Sequence, residues 1–379
     1  MSRISAIRLD PALLARQQKM AVKAIEWGIT SLCRSTRIDP EKINTMVVVG
    51  NSTMIHIFAG ENPSSIGVFP YTPPFIEEKT FPSASVGFRF NPATQIRTLP
   101  LITGFIGADI VSAALASEIS QAEPGTMLVD VGTNGEIMYL GKDGLSATSC
   151  ATGPAFEGAS ISHGMHAVSG AIDAVNIDKN SGKTVCSLIQ QNPAKPKKPA
   201  GLCGTGVIST VAELYKAGLI LKDGAFDREA DSPYLRLDED QLAEFILVPA
   251  EKTQDGRPVS FTQKDVRAIQ LAKGALRTGI DLLCREAGMK RPAKLLVAGA
   301  FGSFINKKDA VKIGMFPRIP ADDIDVVGNA AGAGAILALF DENILTRANE
   351  LTRTTRVLDL SSHPDFQETF LDALAFPDK

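Results

Sequence analysis

Residues Leu128–Leu140 read LVDVGTNGEIMYL, two apolar runs joined by a short turn that contains two glycines. Apolar runs on either side of such a turn are typical of a β-hairpin, and we expect Met127–Val131 to pair with Glu136–Leu140. A third strand is expected to follow around Leu145–Cys150. The stretch therefore predicts an antiparallel meander built around one glycine-rich turn.

The turn itself is suited to bind an anion, and it consists of Gly132, Thr133, Asn134 and Gly135. Backbone N–H groups that converge in such a turn can each donate to a phosphate oxygen, and glycine permits close approach and positive φ. A carboxylate beside a phosphate is repelled unless a cation lies between them, so Asp130 is a candidate Mg²⁺ ligand, directly or through water. The residues leave one alternative open: a plain type I′ turn at Asn134–Gly135, with Asp130 bonded to nearby backbone.

Length and charge limit the class of protein. A chain of 379 residues exceeds the roughly 250–300 residues at which single cores stop growing, so we expect about two or three domains. The net charge of -3, from 39 basic and 42 acidic residues, gives no reason to expect nucleic acid or a membrane surface as partner. Apolar runs are shorter than the ~18 residues of a membrane span, and the N-terminal stretch lacks the features of a signal peptide. We therefore expect a cytoplasmic protein.

The cysteines do not form the pattern of a disulfide framework or of a metal site. The chain has five, which are Cys33, Cys150, Cys186, Cys203 and Cys284. They are widely spaced and include no C-x-x-C pair, which zinc and iron–sulfur sites commonly use. We expect buried thiols.

Helical periodicity and capping residues organise the rest of the chain. Amphipathic helices are expected in Pro11–Thr36, in 204–218 and in a long segment after Thr262. The expected N-caps are Asp109, Thr205 and Thr262. Asp265 completes a capping box with Thr262. Strands and helices alternate along the chain, which indicates a mixed α/β protein.

A second glycine-rich turn follows a continuous apolar strand in LVAGAFGSF (296–304). Gly299 and Gly302 let the backbone approach a flat ring or a ribose, and Ala300 and Phe301 lie between them. The alternative is ordinary close packing of strand and helix.

The order of these motifs resembles the ATPase superfamily of acetate and sugar kinases, heat-shock chaperones and actin. The stretches that carry the resemblance are ITGFIGADIVSAAL, LVDVGTNGE, LLVAGAFGSF and GNAAGAGAILAL. The superfamily implies two ribonuclease-H-like lobes. We accordingly expect a partial first lobe at 1–122, with 326–345 packing back on it, a second lobe at 123–325, and a docked C-terminal strand and helix at 346–379.

More specifically, the chain is similar to the C-terminal part of the ATP-dependent reductive activators of corrinoid proteins. The matching stretches are VVVGNSTMIHIFAG, PYTPPF, DVGTNGEI, ATGPAFEGASISHGM, LCGTGVIS, VAGAFGSFIN, GNAAGAGA and HPDFQETFLDALAFP. This resemblance implies that ATP binding and hydrolysis shift the affinity for a corrinoid protein partner, so that inactive Co(II) can be returned to Co(I). A [2Fe–2S] cluster in a ferredoxin-like domain supplies the electron in that family.

The resemblance also implies roles for the candidate residues. The catalytic candidates are Asp109, Asp130 and Glu157, and Asp130 is the Mg²⁺ candidate. The ATP or ADP candidates are Gly132, Thr133, Asn134, Gly135, Gly299, Ala300, Phe301 and Gly302. For Asp109 the alternative is a plain helix cap, and for Glu157 it is a bond to neighbouring backbone.

The chain departs from this family in two ways. It has no ferredoxin-type cysteine cluster, so we expect the iron–sulfur cluster to lie outside this chain, in a separate ferredoxin domain. It also has no D-x-G-[ST]-[ST] hairpin, because VGNSTM lacks the aspartate, so the first lobe is expected to be incomplete at its N-terminus. We therefore expect weak, Mg²⁺-dependent nucleotide binding and poor hydrolysis by this chain alone.

Other functions remain open at this point. A small-molecule kinase or amidohydrolase of the same superfamily would need a general base opposite the γ-phosphate, and the sequence has no motif for one. A non-catalytic nucleotide-binding or partner-binding module would bind nucleotide without turnover. A homodimer is compatible with each of these functions.

Overall fold

The structure is a computed structural model that describes residues 2–178, 181–237, 241–299 and 302–378. Its internal contacts divide the chain into two compact units. The first unit consists of Met1–Pro124, Leu140–Ala147 and Asn329–Val357. The second unit consists of Gly125–Tyr139, Thr148–Gly328 and Leu358–Lys379. The domain boundaries expected from the sequence stay a prediction.

Helices and strands both occur throughout the described part of the chain. Up to residue 124 they are α1 (Ser2–Leu9), α2 (Leu13–Thr36), β1 (Thr45–Val48), α3 (Ser52–Ala59), β2 (Thr80–Pro82), α4 (Ser83–Val86), β3 (Gln95–Thr98) and α5 (Ala108–Ala116). From 125 to 262 they are β4 (Thr126–Val131), β5 (Gly135–Gly141), β6 (Gly144–Cys150), β7 (Ala171–Ile177), β8 (Thr184–Leu188), β9 (Gly201–Leu202), α6 (Gly204–Ala217), β10 (Leu235–Leu237), β11 (Ala243–Val248) and β12 (Val259–Thr262).

The remaining elements complete the chain. They are α7 (Gln263–Glu286), β13 (Lys294–Ala298), α8 (Lys307–Lys312), β14 (Ile324–Gly328), α9 (Ala330–Phe340), α10 (Asn343–Thr354), β15 (Arg356–Val357) and α11 (Phe366–Leu374). The mixed α/β class is thereby confirmed. Within the described ranges, no helix combines the length and the apolar character that crossing a bilayer requires.

The first unit contains a three-stranded sheet of order β1-β3-β2. β1 runs parallel to β3, and β2 runs antiparallel to it. Residues of α2, α3 and this sheet share a hydrophobic cluster that includes Val22, Phe58 and Ile96. The helix expected at Pro11–Thr36 is present as α2, and a shorter helix, α1, precedes it.

α5 and α9 of the first unit approach each other backbone to backbone. A Cβ built at Gly334 would lie 2.0 Å from the carbonyl oxygen of Ser112, so a side chain at this position of α9 does not fit. The Ser112 hydroxyl donates to the Ala331 carbonyl at 2.6 Å and ties the two helices together. α9 also contacts β1.

The largest sheet has the strand order β14-β13-β4-β5-β6-β15. β4 and β5 are antiparallel, whereas β13 runs parallel to both β4 and β14. The meander predicted from the sequence is confirmed as β4, β5 and β6. Two further sheets have the orders β8-β7-β9 and β10-β11-β12.

α7 packs directly against the hairpin strands of the second unit. It starts with the expected capping box: the Asp265 N–H donates to the Thr262 hydroxyl at 3.2 Å, and the Thr262 N–H donates to the Asp265 carboxylate at 2.9 Å. Farther along α7, a Cβ at Gly279 would lie 2.4 Å from the Sγ of Cys150 and 2.8 Å from Cδ1 of Ile137. Glycine therefore lets this helix lie flat on β5 and β6.

The cap predicted at Asp109 is wrong, because the N-cap of α5 is Gly107 and it makes no side-chain cap bond. The first helical amide, that of Ala108, instead donates to the Gly50 carbonyl at 3.0 Å. A Cβ at Gly107 would lie 2.7 Å from that same carbonyl oxygen. A neighbouring loop thus satisfies the helix end, and this close approach requires glycine at the cap position.

The cap predicted at Thr205 is also wrong, since α6 has its N-cap at Cys203. The Cys203 N–H donates to the Ile172 carbonyl of β7 at 3.0 Å, which fixes the point where the helix starts. Gly206 packs against the same residue, because a Cβ there would lie 2.1 Å from the Ile172 oxygen. Both wrong caps therefore have the same cause, a tertiary backbone contact at the helix start.

The chain after α11 is anchored in the second unit. Phe376 is fully buried, and its ring centroid lies 5.0 Å from that of Tyr215. The buried Lys273 of α7 donates through Nζ to the carbonyls of Ala373 and Ala375, at 2.6 and 2.5 Å. These bonds satisfy carbonyls at the end of α11, where a helix leaves its last acceptors open.

Candidate functional site

The glycine-rich hairpin turn spans residues 132–134, between Val131 and Gly135, which lie opposite each other in the β4–β5 ladder. Neither Gly132 nor Gly135 has positive φ, and Asn134 does not either. The positive φ that glycine permits is therefore not used at these positions, and the type I′ alternative, which needs positive φ at both central residues, is wrong.

Asp130 is placed beside the second glycine-rich turn by the parallel pairing of β4 and β13. Asp130 lies opposite Ala298 in that ladder, so both strands end at the same edge of the sheet. Gly299 follows with φ +98°, and a Cβ there would lie 2.7 Å from Asp130 Oδ1 and 2.7 Å from the Val131 carbonyl oxygen. The structure thus brings together Asp130, the hairpin turn and the turn that follows β13.

The amides of the hairpin turn are only partly engaged. The Gly132 N–H donates to the Asn134 carbonyl at 3.2 Å, so it is used within the turn. Among the described residues, no acceptor takes the amides of Thr133 and Asn134. Two adjacent amides of the turn are thus able to donate to an incoming anion.

Thr152 is hydrogen-bonded to the backbone of the hairpin turn, a contact that no sequence motif predicted. Its side chain is buried, and its hydroxyl lies 3.1 Å from the carbonyl oxygens of both Gly132 and Thr133. A single threonine just after β6 belongs to no sequence motif that predicts such a bond. With their carbonyls directed toward Thr152, the turn residues are fixed in one orientation.

Glu157 reaches the same turn from the loop after β6. Its exposed carboxylate accepts a hydrogen bond from the Thr133 hydroxyl at 2.8 Å. The alternative for this residue, a bond to neighbouring backbone, is not the contact that the structure shows. Glu157 and Asp130 therefore place two carboxylates of the second unit near the turn residues.

Two predicted binding glycines are accounted for by packing contacts. A Cβ at Gly135 would lie 2.6 Å from Cδ1 of Leu276, which belongs to α7. A Cβ at Gly302 would lie 3.0 Å from Cγ1 of Val297 in β13. Glycine therefore allows close packing at both positions, of Gly135 against α7 and of Gly302 against β13. Ala300 and Phe301, the other candidates in this turn, lie outside the described residues.

Asp109 belongs to the first unit, whereas the residues above belong to the second. It lies in the first turn of α5, and its carboxylate oxygen lies 3.0 Å from the Ile110 N–H. Burial raises the pKa of this carboxyl above its ordinary value, although backbone hydrogen bonds oppose the shift. A carboxylate with a raised pKa can accept a proton nearer to neutral pH than an ordinary aspartate.

The two carboxylates of the second unit offer oxygen ligands of the kind that a hard cation binds together with ligands from outside the protein. Asp130 and Glu157 offer carboxylate oxygens, which Mg²⁺ prefers. Within the described ranges, no three His, Cys, Asp or Glu residues lie close enough to hold a metal by themselves. Mg²⁺ commonly takes one or two carboxylates and completes its shell with water and phosphate oxygens, so Asp130 and Glu157 are candidate ligands rather than a complete metal site.

Two family models match the chain along nearly its whole length. The C-terminal domain of RACo, which is the ASKHA domain, matches residues 125–379. The RACo middle region matches residues 1–122. The ASKHA domain is the actin-like ATPase domain, so the fold expected from the motifs is confirmed.

Relatives with assigned names point to the same family. The corrinoid activation enzyme RamQ of Eubacterium limosum is 33% identical over 385 residues, which cover 100% of this chain and 63% of RamQ. The [Co(II) methylated amine-specific corrinoid protein] reductase of Methanosarcina barkeri is 28% identical over 371 residues, which cover 89% of this chain and 64% of that protein.

A solved structure agrees with these sequence matches. The reductive activator for corrinoid, iron–sulfur protein superposes with a TM-score of 0.89 at 31% identity, over 99% of this chain and 59% of that chain. The chain thus spans less than two thirds of the length of each of these relatives. It belongs to the RACo family of reductive activators of corrinoid proteins, and carries the middle region and the C-terminal ASKHA domain of that family.

Proposed function

We propose that this chain is the ATP-binding part of a reductive activator that returns corrinoid proteins from Co(II) to Co(I). Family membership supports the proposal, as do the names of the two relatives, a corrinoid activation enzyme and a corrinoid protein reductase. In this proposal a corrinoid protein is the partner, the electron comes from a separate ferredoxin-like domain, and the protein acts in the cytoplasm.

We propose that Mg-ATP binds at the sheet edge where β4 and β13 end. The observation that carries this assignment is the pair of turn amides, those of Thr133 and Asn134, that no described acceptor takes, next to the strand end where Asp130 contacts Gly299. A Cβ at Gly299 would lie 2.7 Å from Asp130 Oδ1, so only glycine lets the backbone after β13 come this close to the carboxylate.

Two amides of the turn and the candidate carboxylates have proposed roles in nucleotide binding. The amides of Thr133 and Asn134 donate to phosphate oxygens, and Asp130 and Glu157 hold Mg²⁺ directly or through water. Bound Mg-ATP supplies the free energy of nucleotide binding and hydrolysis to the change in affinity for the corrinoid protein. Asp109 is proposed to accept a proton from water, because burial raises its pKa.

The proposal is tested by titration calorimetry of the chain with ADP and with ATP, each with and without Mg²⁺. We expect weak binding that strengthens with Mg²⁺, and slow hydrolysis. Asp130→Asn should remove the Mg²⁺ dependence, since an amide is a poorer ligand for a hard cation. Asp143→Asn is the matched control, because Asp143 is an exposed aspartate in the turn at the other end of β5.

The outcome of calorimetry decides the assignment. A folded chain that gives no heat with either nucleotide would refute the binding site. If Asp130→Asn and Asp143→Asn show the same Mg²⁺ dependence, the role of Asp130 as a metal ligand is refuted, but the binding site is not. The corrinoid activity is tested separately, by measuring whether ATP changes the affinity of the chain for a corrinoid protein in the Co(II) state.

A further inference from the structure

Helix α2 of the first unit carries a basic stripe on its outer side. Val22 and Cys33 are the buried residues among the 24 of this helix. On the opposite, exposed side, residues three, four or seven positions apart lie above one another and form one continuous surface. This stripe runs about 27 Å along the helix. It consists of Arg16, Met20, Lys23, Trp27 and Arg34.

The charges of the stripe are all positive and have no counter-charge. Within the described ranges, the side chains of Arg16, Lys23 and Arg34 make neither an ion pair nor a hydrogen bond. Glu26 lies beside the stripe, but its carboxylate already accepts a hydrogen bond from the Arg89 N–H at 2.7 Å. The whole chain has a net charge of -3, so the stripe is a local departure from its overall charge. Cations grouped in this way favour an acidic binding partner.

Trp27 lies near the middle of the stripe and is the one tryptophan of the sequence. It is 75% exposed, and Met20, which lies two turns away on the same side, is 63% exposed. An aromatic centre with a charged rim is the usual composition of a protein–protein interface, in which tryptophan and arginine contribute a large share of the binding energy. The stripe therefore has an apolar anchor at its centre and cations around it.

A cleft beside Trp27 gives a partner side chain room to insert. Its volume is about 940 Å³, and it is lined by α2, by the turn at residues 40–41 and by the segment 89–90. Its charged lining residues are Lys23, Arg34 and Arg89 against Glu26 and Glu41. Pro40 and Phe90 add apolar surface to the lining. The cleft thus repeats the character of the stripe, apolar with an excess of positive charge.

An acidic protein surface fits the stripe better than other occupants do. A second copy bound symmetrically through this stripe would bring cations onto cations. Ile25 and Ile29 on the other side of α2 pack against the hydrophobic cluster of the first unit, so the helix has no apolar face left to enter a bilayer. Proteins that bind nucleic acid are basic over a whole domain, whereas this chain is acidic overall. A small anion would cover a fraction of the stripe.

We propose that the stripe of α2 and the adjoining cleft bind an acidic face of the corrinoid protein. This inference rests on the proposed function, which supplies the partner, and adds the surface that binds it and the charge of the partner's contact face. Trp27 is the central anchor, and Lys23, Arg34 and Arg89 pair with carboxylates of the partner.

The test measures the affinity of this chain for the methylated amine-specific corrinoid protein and for the corrinoid, iron–sulfur protein that the names of two relatives give. Both are used in the Co(II) state, at low and at high salt. Trp27→Ala should weaken binding about 30-fold or more, because it removes the buried anchor. Arg34→Glu should weaken binding about 10-fold or more at low salt and should reduce the salt dependence.

Arg353→Glu is the matched control for Arg34→Glu. Both arginines are exposed and lie in the last turn of a helix of the first unit, Arg34 in α2 and Arg353 in α10. Both variants change the net charge equally, so the pair separates a local contact from long-range attraction. Arg353→Glu should change the affinity less than about 2-fold. Circular dichroism checks that both variants fold.

Fluorotryptophan labelling reports on the contact without any substitution. The labelled chain gives one fluorine NMR signal, because the sequence has one tryptophan. This signal should shift or broaden when the corrinoid protein is added, since the partner covers the Trp27 ring. An unchanged signal at saturating partner concentration would overturn the proposal.

The outcomes separate this inference from the proposed function. If the unaltered chain binds neither corrinoid protein, both fail. If it binds, but Trp27→Ala and Arg34→Glu bind as tightly as Arg353→Glu, the stripe is not the binding surface and the proposed function stands. Two further results would overturn the choice of occupant. One is binding to phosphatidylserine vesicles or duplex DNA that is tighter than to either corrinoid protein and that Arg34→Glu abolishes; the other is a dimer in sedimentation that Trp27→Ala dissociates.

Discussion

Lys273 should make the stability of the second unit increase with pH between about pH 7 and pH 9. Its side chain is 1% exposed, and Nζ donates to the carbonyls of Ala373 and Ala375. Burial, with a smaller contribution from the nearby Arg277 charge, lowers the pKa of Lys273 from 10.5 to about 7. Burial disfavours the protonated, charged form of Lys273 in the folded chain, whereas the unfolded chain leaves it in water. Folding therefore releases a proton from Lys273.

The sign and size of the effect follow from these two pKa values. Between pH 7 and pH 10.5 the unfolded chain binds more protons at this lysine than the folded chain, so the free energy of unfolding rises with pH. Below pH 7 the cost of burying the charge is fully present. A full proton difference gives ~1.4 kcal/mol for each pH unit. Because the folded chain is still partly protonated just above pH 7, the expected gain over the two units from pH 7 to pH 9 is less than twice this value, about 2 kcal/mol.

Few other groups titrate in this window. Burial lowers the pKa of His56 from 6.5, so its effect lies below pH 7. Burial raises the pKa of Cys150 and Cys284 from 9.0 to about 12. Burial also raises the pKa of Cys186 from 9.0 to about 11, and in the unfolded chain the three thiols begin to ionise at about pH 8, which offsets part of the gain by pH 9. Because these thiols are present in both the unaltered chain and Lys273→Met, the difference between the two profiles from pH 7 to pH 9 reports mainly on Lys273.

The assay is urea unfolding at half-unit pH steps, followed by far-ultraviolet circular dichroism, with amide exchange of residues 373–378 as a local measure. Lys273→Met should remove the rise in stability from pH 7 to pH 9 and, by leaving two carbonyls without their donor, should lower stability at pH 9. Lys264→Met, an exposed lysine of the same helix, should behave as the unaltered chain. A flat profile in the unaltered chain, or a profile unchanged in Lys273→Met, would refute the reasoning.

The remaining predictions concern the candidate site. Gly299→Ala should lower the free energy of unfolding by about 2–4 kcal/mol and abolish nucleotide binding. The control Gly256→Ala, at a glycine with φ +74° and no atoms near the added Cβ, should lower it only by the ~1 kcal/mol of backbone strain. Equal losses in the two variants would contradict the contact of Gly299 with Asp130. Thr152→Val should lower the free energy of unfolding by about 1–2 kcal/mol in urea, and Thr152→Ser should restore it. Glu157→Gln should keep the bond from the Thr133 hydroxyl yet weaken Mg²⁺-dependent binding in calorimetry, and unchanged binding would remove Glu157 from the metal site.

Features set by local sequence were predicted correctly. The hairpin of β4 and β5 follows from apolar runs around a short turn, and the capping box of Thr262 and Asp265 needs residues only three positions apart. The caps at Asp109 and Thr205 were wrong because carbonyls from distant segments satisfy those helix ends. Helix starts that are fixed by tertiary contacts leave no local signal.

The candidate site was predictable in its parts and not in its assembly. The sequence singled out both glycine-rich turns, but the contact of Gly299 with Asp130 depends on the parallel register of β4 and β13. That register pairs two strands that are distant in sequence, so no local motif predicts it. Thr152 escaped notice for the same reason, because its hydroxyl bonds carbonyls that are distant in sequence. Gly135 was assigned to the turn chemistry, although the side chain of Leu276 already accounts for it.

The bonds from Thr152 to the hairpin turn have a practical consequence for spectroscopy. They couple the turn to the loop after β6, so a displacement of one is transmitted to the other. A fluorophore attached through Ser160→Cys, at an exposed position three residues beyond Glu157, should therefore respond when the turn is occupied. The native thiols should compete weakly for the dye, because burial raises the pKa of Cys186 to about 11 and those of Cys150 and Cys284 to about 12, while Cys33 and Cys203 are buried.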